Sequence, residues 1–549
     1  SSLQSGQRVP DGKHYHGSPA IETKADYCPI ESKRCTSLRR GFYSAMQLVS
    51  VLAIMVPLPI MLLDFWYPYF VQFAGEASLP VAGSTTAFVS LMLLVSAGSF
   101  FGMLVLGLAG IYLVPRLCQR LLAPDRTYVL YGFHYWLQRI VALTSNSQFY
   151  NLLFGDTSLI VHYMRFVGWK LNEVEQTGSN FGTNQKHDNP FLCEIGSKTM
   201  VSDGLSMINM HMSSSSFRLA ATRIGERNYL GNDIHYPPDG RTGANCLIGT
   251  KTLIPIDGPV RANVGLLGSP AFEIPRSVER DKNLSAALNA EERRQRIRRK
   301  NLHNFITASL LLLTRWMFFF MTVLVSHLAV LNYPDYGIGS LFVAGAFISL
   351  TAIPFFAFIE RASIGFKRLE PKLVSIYDPY FWAHERHWKL SDSPIVELFK
   401  GTPFKNWVSR LVGVKIGRKV YDGGCCITDR TLTQIGHHSN LNEGSVLQSH
   451  SLEEGVFKSD HIRMAEGCTL GASAFVHYGV IMGDRVVLDA DSFLMKGEVL
   501  DPHSCWRGNP ATLLRRNTPH GQLADRVVAN ERAPARAPLE SFVACVAAE

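Results

Sequence analysis

Residues 464–497 read MAEGCTLGASAFVHYGVIMGDRVVLDADSFLMKG. A large aliphatic side chain recurs at every sixth position, namely at Met464, Leu470, Val476, Met482, Leu488 and Leu494. This period matches neither the alternation of a half-buried strand nor the 3.6-residue turn of a helix. It is typical of a left-handed parallel β-helix, in which three short strands form one triangular coil and the aliphatic residue fills its interior. The stretch therefore predicts a β-helix.

The same period extends beyond this stretch. It starts at Ile435, Leu441 and Leu447, ahead of an insertion, and a less regular version occupies residues 195–254. Gly follows several of the aliphatic residues, as at Gly231 and Gly436, and Gly permits the turn between two faces of a coil. We therefore predict two tandem β-helices, of which the first is the more irregular.

The two β-helix regions belong to a duplicated unit. Trp136 matches Trp382 and Gly168 matches Gly413, at offsets of 246 and 245 residues. A phrase of Gly, Ser or Asn, Pro and Ala ends each β-helix region at residues 268–271 and 508–511, and it also occurs at residues 17–20. We interpret the phrase as coil-terminating and residues 1–40 as the tail of a further soluble repeat whose body lies upstream. Three such repeats could pack as an intramolecular pseudo-trimer.

Four apolar segments predict a membrane protein. Residues 42–63, 83–114, 305–331 and 338–359 are nearly free of charge, and each reaches the ~20 residues that a helix needs to cross a bilayer. The connectors at residues 74–82 and 332–337 lack Lys and Arg, whereas the outer flanks are basic, so the positive-inside rule places the soluble domains in the cytoplasm. The net charge of +9 is then explained by anionic lipid rather than by nucleic acid, for which no recognised motif is present.

These features divide the chain into six parts. The predicted parts are a tail and linker (1–40), two transmembrane helices (41–126), an interfacial aromatic helix with the first β-helix (127–285), a basic linker with two transmembrane helices (286–372), a second interfacial helix with the second β-helix (373–520), and a flexible tail (521–549). An ordinary packed helix is the alternative for each aromatic segment. The ten cysteines show no C-x-x-C pair, which indicates reduced thiols in a cytosolic setting. Adjacent residues on a strand face opposite ways, so Cys425-Cys426 and His437-His438 do not predict a metal site.

The second β-helix region resembles a known family. Residues 435–455, 475–479 and 493–498, together with the phrase at 508–511, are similar to the terminal region of nonribosomal peptide synthetases of the ε-poly-L-lysine synthetase type. This resemblance implies upstream adenylation and carrier domains, membrane helices interleaved with three tandem soluble domains, and repeated amide-bond formation. It also implies that the aminoacyl group arrives as a thioester of carrier-bound 4'-phosphopantetheine. The fold is also that of acyltransferases that use coenzyme A.

Amide formation from an amine requires a base. An amine with an unperturbed pKa near ~10 is mostly protonated at neutral pH, so a positioned base must free its lone pair. His450 is the first candidate for this base, with Glu453 or Glu454 as the carboxylate that orients the ring. His477 with its neighbour Tyr478 is the second candidate.

The first repeat provides only part of this set. The His477-Tyr478 pair recurs there as His235-Tyr236, which adds His235 to the candidates, and Glu443 has an acidic partner in Asp203. The ungapped partner of His450, however, is Met210. The sequence therefore leaves open whether the first repeat has a working site.

Three functions agree with these observations. The favoured one is a membrane-bound module that forms (iso)peptide bonds in the synthesis of a poly-amino acid. The second is an acetyl-CoA-dependent hexapeptide-repeat acyltransferase that acts on a membrane-associated acceptor. The third is a non-catalytic membrane scaffold or export module, which polar residues along the predicted spans would support.

Overall fold

The two halves of the chain repeat one order of elements in the computed structural model, which describes residues 2–3, 7–55, 61, 69, 72, 85–172, 181–276, 289–391, 398–453 and 455–516. In the described residues the first half contains one long apolar helix and the second contains two, and in each half one β-strand, shorter helices and a series of very short strands follow. Ahead of them lie a hairpin of β1 (His14–His16) and β2 (Ile21–Thr23), the helix α1 (Ser37–Val49) and a π-helix (Ser50–Met55).

The first half begins with a helix of 35 residues. Its helices and first strand are α2 (Thr85–Gln119), β3 (Thr127–Val129), α3 (Phe133–Ser145), α4 (Gln148–Phe154) and α5 (Leu159–Val167). Its short strands are β4 (Lys170–Leu171), β5 (Lys186–His187), β6 (Cys193–Ile195), β7 (Met200–Val201), β8 (Ser206–Met207), β9 (Met210–Met212), β10 (Ser216–Leu219), β11 (Thr222–Ile224), β12 (Tyr229–Leu230), β13 (His235–Tyr236), β14 (Arg241–Thr242), β15 (Leu247–Ile248), β16 (Gly265–Leu267) and β17 (Phe272–Ile274). A 3-10 helix (Pro190–Leu192) precedes β6.

The second half has the same order. Its helices and first strand are α6 (Ala290–Leu331), α7 (Tyr333–Tyr336), α8 (Ile338–Ser363), β18 (Lys372–Ser375), α9 (Pro379–Ser391) and α10 (Pro403–Leu411). Its short strands are β19 (Lys415–Ile416), β20 (Tyr421–Asp422), β21 (Cys426–Ile427), β22 (Thr433–Ile435), β23 (Asn440–Leu441), β24 (Val446–Gln448), β25 (His450–Glu453), β26 (Val456–Ser459), β27 (Ile462–Met464), β28 (Thr469–Leu470), β29 (Phe475–His477), β30 (Ile481–Met482), β31 (Val487–Leu488), β32 (Phe493–Leu494), β33 (Val499–Leu500), β34 (Ser504–Arg507) and β35 (Thr512–Arg516). A 3-10 helix (Arg430–Leu432) precedes β22.

Three parallel sheets form the faces of each β-helix. In the second repeat their orders are β19-β22-β27-β30-β33, β20-β23-β28-β31-β34 and β21-β24-β29-β32. The in-register pairs Leu441 with Leu470 and Leu470 with Leu488 stack fully buried aliphatic side chains up the interior. A Cβ on Gly471 would lie 2.3 Å from the backbone nitrogen of Ala490 in the next coil, so this corner requires Gly. The predicted fold class, membrane-length helices with tandem left-handed parallel β-helices, is confirmed.

The first β-helix has the same three parallel faces in the described residues, with fewer strands in total and a less regular sequence. Its parallel sheets are β4-β6-β11-β14, β5-β8-β13 and β7-β12-β15-β16. Tyr236 takes the interior place that Val476 has in the second repeat; it is fully buried, and its hydroxyl lies 2.9 Å from Thr242 Oγ1. The irregular pattern therefore accompanies a different filling of the coil interior.

An antiparallel hairpin interrupts each β-helix at the predicted insertion. β9 and β10 form it in the first repeat, β25 and β26 form it in the second, and the strand ahead of the aromatic helix joins each as a third member. The aromatic segments pack against these hairpins. Phe381 on α9 lies 5.1 Å from Phe457 on β26 between ring centroids, and Phe381 and Trp382 are buried. Phe381 and Trp382 therefore pack in the interior, whereas Phe133 of the first aromatic segment is 58% exposed.

The three copies of the Gly-[Ser/Asn]-Pro-Ala phrase meet in a closed ring of backbone hydrogen bonds. The N–H of Ser18 donates to the carbonyl of Ser269 at 2.8 Å, that of Ser269 to Asn509 at 3.0 Å, and that of Asn509 to Ser18 at 3.0 Å. The peptide bond that precedes the proline is cis in all three copies. Each residue plays the same part, so the ring has approximate threefold symmetry.

Three helices in the described part of the chain are long and apolar enough to cross a membrane. They are residues 88–119, 294–331 and 338–363. The predicted span at residues 42–63 lies partly outside the described residues, and its described part belongs to α1 and the π-helix. The predicted tail at 521–549 lies wholly outside them.

A buried histidine makes the first repeat sensitive to acid. His187 Nδ1 accepts a bond from the Trp169 indole at 3.2 Å, Nε2 lies 2.9 Å from Ser145 Oγ, and burial lowers the pKa of His187 to about 3. Between pH 6.5 and pH 3 the unfolded chain binds a proton here that the folded chain does not, so the free energy of unfolding falls as the pH falls, by up to about 1.4 kcal/mol per pH unit.

Replacing this histidine is expected to flatten the pH dependence. His187→Gln removes the titrating group, so denaturant midpoints in detergent between pH 7.5 and pH 4 are expected to vary less than in the wild type. The exposed His14, changed to Gln in the same way, is the control. An unchanged slope in His187→Gln would contradict the assignment.

Candidate active site

A cavity of about 970 Å³ lies between the two halves of the chain. Gln148 and Asn184 of the first half line one side, Trp388 and His450 of the second half line another, and Phe356 of the apolar helix α8 contributes to the wall. Its volume is in the range of pockets that hold small molecules and cofactors. It is therefore the first place to look for chemistry among the described residues.

His450 is the first residue of the inserted hairpin and borders this cavity. Its side chain is 12% exposed, and its Nδ1 lies 2.5 Å from Asp429 Oδ2. An ionised carboxylate only accepts hydrogen bonds, so Nδ1 carries the hydrogen. The other ring nitrogen, Nε2, then carries the lone pair, and it accepts a hydrogen bond from the side-chain amide nitrogen of Gln448 at 3.4 Å. This tautomer suits a base at Nε2.

Asp429 is a fully buried carboxylate that four donors surround. It lies just before the 3-10 helix at Arg430–Leu432 and accepts from His450 Nδ1, from His384 Nε2 at 2.7 Å, from the Trp388 indole at 2.8 Å and from Thr428 Oγ1 at 3.1 Å. Burial alone would raise the pKa of Asp429, but His450 and His384 outweigh burial and hold it well below its usual range. Asp429 is therefore charged at neutral pH and fixes the His450 ring.

Helix α9 supplies the rest of the frame. Trp388 stacks on His450 with ring centroids 4.2 Å apart and planes 26° apart, and His384 lies one turn earlier on the same face of the helix. Phe457, on the second strand of the hairpin, packs against His384 at 4.9 Å. The His450 ring is thus held by stacking on one face and by Asp429 at Nδ1.

The sequence names His450 as a candidate base but does not indicate which carboxylate contacts it. Glu454 lies outside the described residues, as does the side chain of Glu453, and the acid at Nδ1 is Asp429. Asp429 is 21 residues before His450 in the sequence and lies one coil earlier in the β-helix. No recognisable motif surrounds it in the sequence. Only the parallel pairing of β21 with β24 hints that the two segments meet.

The remaining predicted residues lie elsewhere. His477 is 6% exposed, its Nδ1 accepts from the backbone N–H of Tyr478 at 3.0 Å, and it pairs in register with Gln448, so it lies one coil beyond the site. Glu443 is exposed at a corner of the β-helix. His235 borders a separate, smaller cavity of about 560 Å³. None of these three is among the described residues that line the larger cavity.

The first repeat has the same framework with neutral residues. In the hairpin of the first repeat Met210 pairs with Leu219, and in the hairpin of the second repeat His450 pairs with Ser459. Met210 therefore occupies the position of the candidate base. By the same alignment Gln138 replaces His384, Ala142 replaces Trp388 and Asn189 replaces Asp429.

Where the second repeat has the charged Asp429 beside His384, the first repeat has a hydrogen-bonded pair of side-chain amides. Asn189 Nδ2 donates to Gln138 Oε1 at 3.1 Å. The His-Asp-His arrangement is therefore specific to the second repeat.

Comparisons with known proteins give one relative and several structural neighbours. No protein-family model matches the chain. Delta-poly-L-ornithine synthetase of Acinetobacter baumannii (strain AB307-0294) is 23% identical over 395 residues, which cover 70% of this chain and 29% of the synthetase. The chain is distantly related to this synthetase. The match spans less than a third of the synthetase's length.

The structural neighbours include hexapeptide-repeat acetyltransferases. One from Vibrio cholerae O1 biovar eltor, complexed with acetyl coenzyme A, is 16% identical and covers 22% of this chain and 82% of its own, with a TM-score of 0.19. A maltose O-acetyltransferase from Clostridium difficile 630 is 15% identical and covers 27% of this chain and 94% of its own, with a TM-score of 0.21.

Proposed function

We propose that the chain is the membrane-bound part of a poly-amino-acid synthetase that transfers an aminoacyl group from a carrier thioester to an amine. The observation that carries the proposal is the His450–Asp429 pair at the cavity, with the lone pair of His450 on Nε2. A general base of this kind contributes about 10²- to 10⁴-fold to a rate. The distant relation to a poly-L-ornithine synthetase supports the same class of reaction.

The chemistry at His450 would be a proton relay. The amine nitrogen attacks the thioester carbonyl, its C–N bond forms as the C–S bond breaks, and His450 Nε2 takes the proton that the nitrogen loses. The imidazolium is stabilised by the adjacent Asp429 carboxylate and then gives the proton to the departing thiolate. The products are an amide and the free thiol of the carrier.

The cavity also has groups that fit the arm of a carrier. 4'-Phosphopantetheine would supply the thioester, and its two amide groups need hydrogen-bond partners in a partly enclosed site. Gln448 and Asn184 present side-chain amides on opposite walls, and Trp388 and Phe356 present apolar surface. Coenzyme A carries the same arm.

The ring of three phrases supports a pseudo-trimer. β16–β17 and β34–β35 are the hairpins that close the two β-helices, and each carries one copy of the phrase. β1–β2 is the third equivalent hairpin in the ring. We infer that it closes a third β-helix in the whole protein, downstream of adenylation and carrier domains, with all soluble parts on the cytoplasmic side of the membrane.

A transfer assay separates the three possible functions. The purified chain in detergent receives an aminoacyl-pantetheine thioester and a primary amine, or acetyl coenzyme A and the same amine, and products are identified by mass. Aminoacyl amide at a rate above the protein-free control supports the proposal, and acetyl amide alone favours a coenzyme A-dependent acyltransferase. If neither product forms with the chain or with the complete synthetase, the proposed transfer function is wrong and the scaffold or export function is favoured.

A further inference from the structure

Asp422 has a carboxylate oxygen that is buried but has no partner. Asp422 ends β20, is 1% exposed and lines the cavity that contains His450. Its Oδ1 accepts from the backbone N–H groups of Gly424 at 3.0 Å and Cys425 at 2.9 Å. Its Oδ2 has no hydrogen-bond donor among the described residues. Buried polar atoms are almost always paired, so this oxygen requires an explanation.

In the first repeat the corresponding corner is capped by an aspartate from the next coil, which the alignment pairs with Glu443 of the second repeat. There Asp203 caps the turn: its Oδ1 accepts from the N–H groups of Thr183 and Asn184, both at 2.8 Å, and its Oδ2 accepts from Asn184 Nδ2 at 2.8 Å. The pairing of β5 and β21 with their neighbouring strands aligns Asn184 with Gly424. Gly424 has no side chain that could donate to the second oxygen of Asp422, and this oxygen lines the cavity without a donor among the described residues.

The chemistry of this oxygen selects a cationic donor. A carboxylate accepts hydrogen bonds and binds ammonium groups with short charge-assisted bonds. Lys405 lies on the same wall, yet it makes no hydrogen bond to Oδ2. Within the described part of the chain no three His, Cys, Asp or Glu residues are arranged to hold a metal ion.

The amine that attacks cannot be the one bound here. A neighbouring carboxylate favours the protonated form of an amine, whereas attack requires the neutral form. A group held at Asp422 therefore stays an ammonium ion while a different nitrogen of the same molecule approaches His450.

We propose that Asp422 anchors a second, non-reacting ammonium group of the acceptor, and that this subsite exists only in the second repeat. The inference rests on the proposed transfer reaction for its biological meaning, but it concerns binding alone. Asp422 is thus a positioning residue for the acceptor, distinct from the base at His450.

Calorimetric titration of the full chain in detergent tests the subsite. The probes at pH 7.5 are 1,4-diaminobutane and 1-aminobutane, which differ by one amino group. Wild-type protein is expected to bind the diamine at least about tenfold more tightly, as one charge-assisted hydrogen bond allows. Asp422→Asn keeps the Oδ1 acceptor for the turn and is expected to lose the preference.

Matched variants make each outcome decisive. Asp203→Asn is the control in the first repeat and is expected to keep the preference, because Asn184 and Thr183 already occupy that carboxylate. His450→Ala is also expected to keep it, so the loss of transfer and the loss of binding are separable. Equal binding of the two probes by the wild type overturns the proposal, and this needs no variant. The proposal is also overturned if Asp422→Asn still binds the diamine more tightly than the monoamine. If the Asn variant unfolds at a lower temperature than wild type, Asp422→Ser takes its place in this test.

Discussion

Replacing His450 with alanine is expected to lower the rate of amide formation about 10²- to 10⁴-fold while the carrier is still loaded with its amino acid. The reason is that the Asp429 contact keeps the hydrogen on Nδ1 of His450, so the lone pair is on Nε2, where only the Gln448 amide contacts it among the described hydrogen bonds. The measurement is a single-turnover reaction of the complete synthetase with a preloaded carrier, followed by product mass. Wild-type and variant proteins are compared at one saturating concentration of amine.

The first repeat supplies the control for this experiment. Met210→Ala changes the residue that occupies the equivalent position, where no base is present, and it is expected to leave the rate within a few-fold of wild type. If His450→Ala forms product at the wild-type rate, His450 has no part in the mechanism. His477→Ala then becomes the variant to examine, because His477 is the other candidate that the sequence predicts.

Replacing Asp429 with alanine is expected to destabilise the second repeat by about 3–5 kcal/mol. The substitution leaves the ring N–H groups of His450 and His384 and the indole of Trp388 without the acceptor they share in a buried place. The measurement is the free energy of unfolding in denaturant at pH 7.5. Asn189→Ala, at the equivalent place in the first repeat, removes only neutral hydrogen bonds and is expected to cost less.

Asp429 is also expected to make the free energy of unfolding depend on pH in the acid range. Because the folded pKa of Asp429 is well below its unfolded value of about 3.9, its stabilising contribution is complete above that value and is lost as the pH falls further. The wild type should therefore lose stability below about pH 4, and Asp429→Ala should lose less over the same interval. An Asp429→Ala protein as stable as wild type at pH 7.5 would show that this buried charge does not hold the site together.

The fold could be predicted from sequence because its determinants repeat locally. Each coil needs an aliphatic residue every sixth position, so Leu441, Leu470 and Leu488 report the β-helix wherever they occur. His450 could be named as a candidate base for a different reason, since amide formation needs a base and the family resemblance covers residues 435–455. The partners of His450 could not, because they come from other elements.

Asp429 and Trp388 illustrate what sequence reasoning lacks. Trp388 belongs to a helix that precedes the β-helix by many residues, and its place over the His450 ring depends on how that helix packs against the hairpin. Asp422 is harder still, because only the three-dimensional structure shows that one of its carboxylate oxygens has no donor among the described residues. The pairing of strands between successive coils follows from the local six-residue period, whereas contacts between the β-helix and the helices depend on the assembled structure.

The ring at Ser18, Ser269 and Asn509 has a consequence for biosynthesis. Ser18 Oγ also donates to the carbonyl of Asp491 at 3.1 Å, across 473 residues of chain. At a translation rate of about 5–20 residues per second, roughly 25–95 s separate the emergence of these two residues from the ribosome. During that interval the β1–β2 hairpin of a nascent chain lacks its final neighbour, and on a crowded polysome the finished C-terminal β-helix of an adjacent chain offers the same surface. Domain-swapped dimers are therefore the misassembled product to look for when this protein is overexpressed.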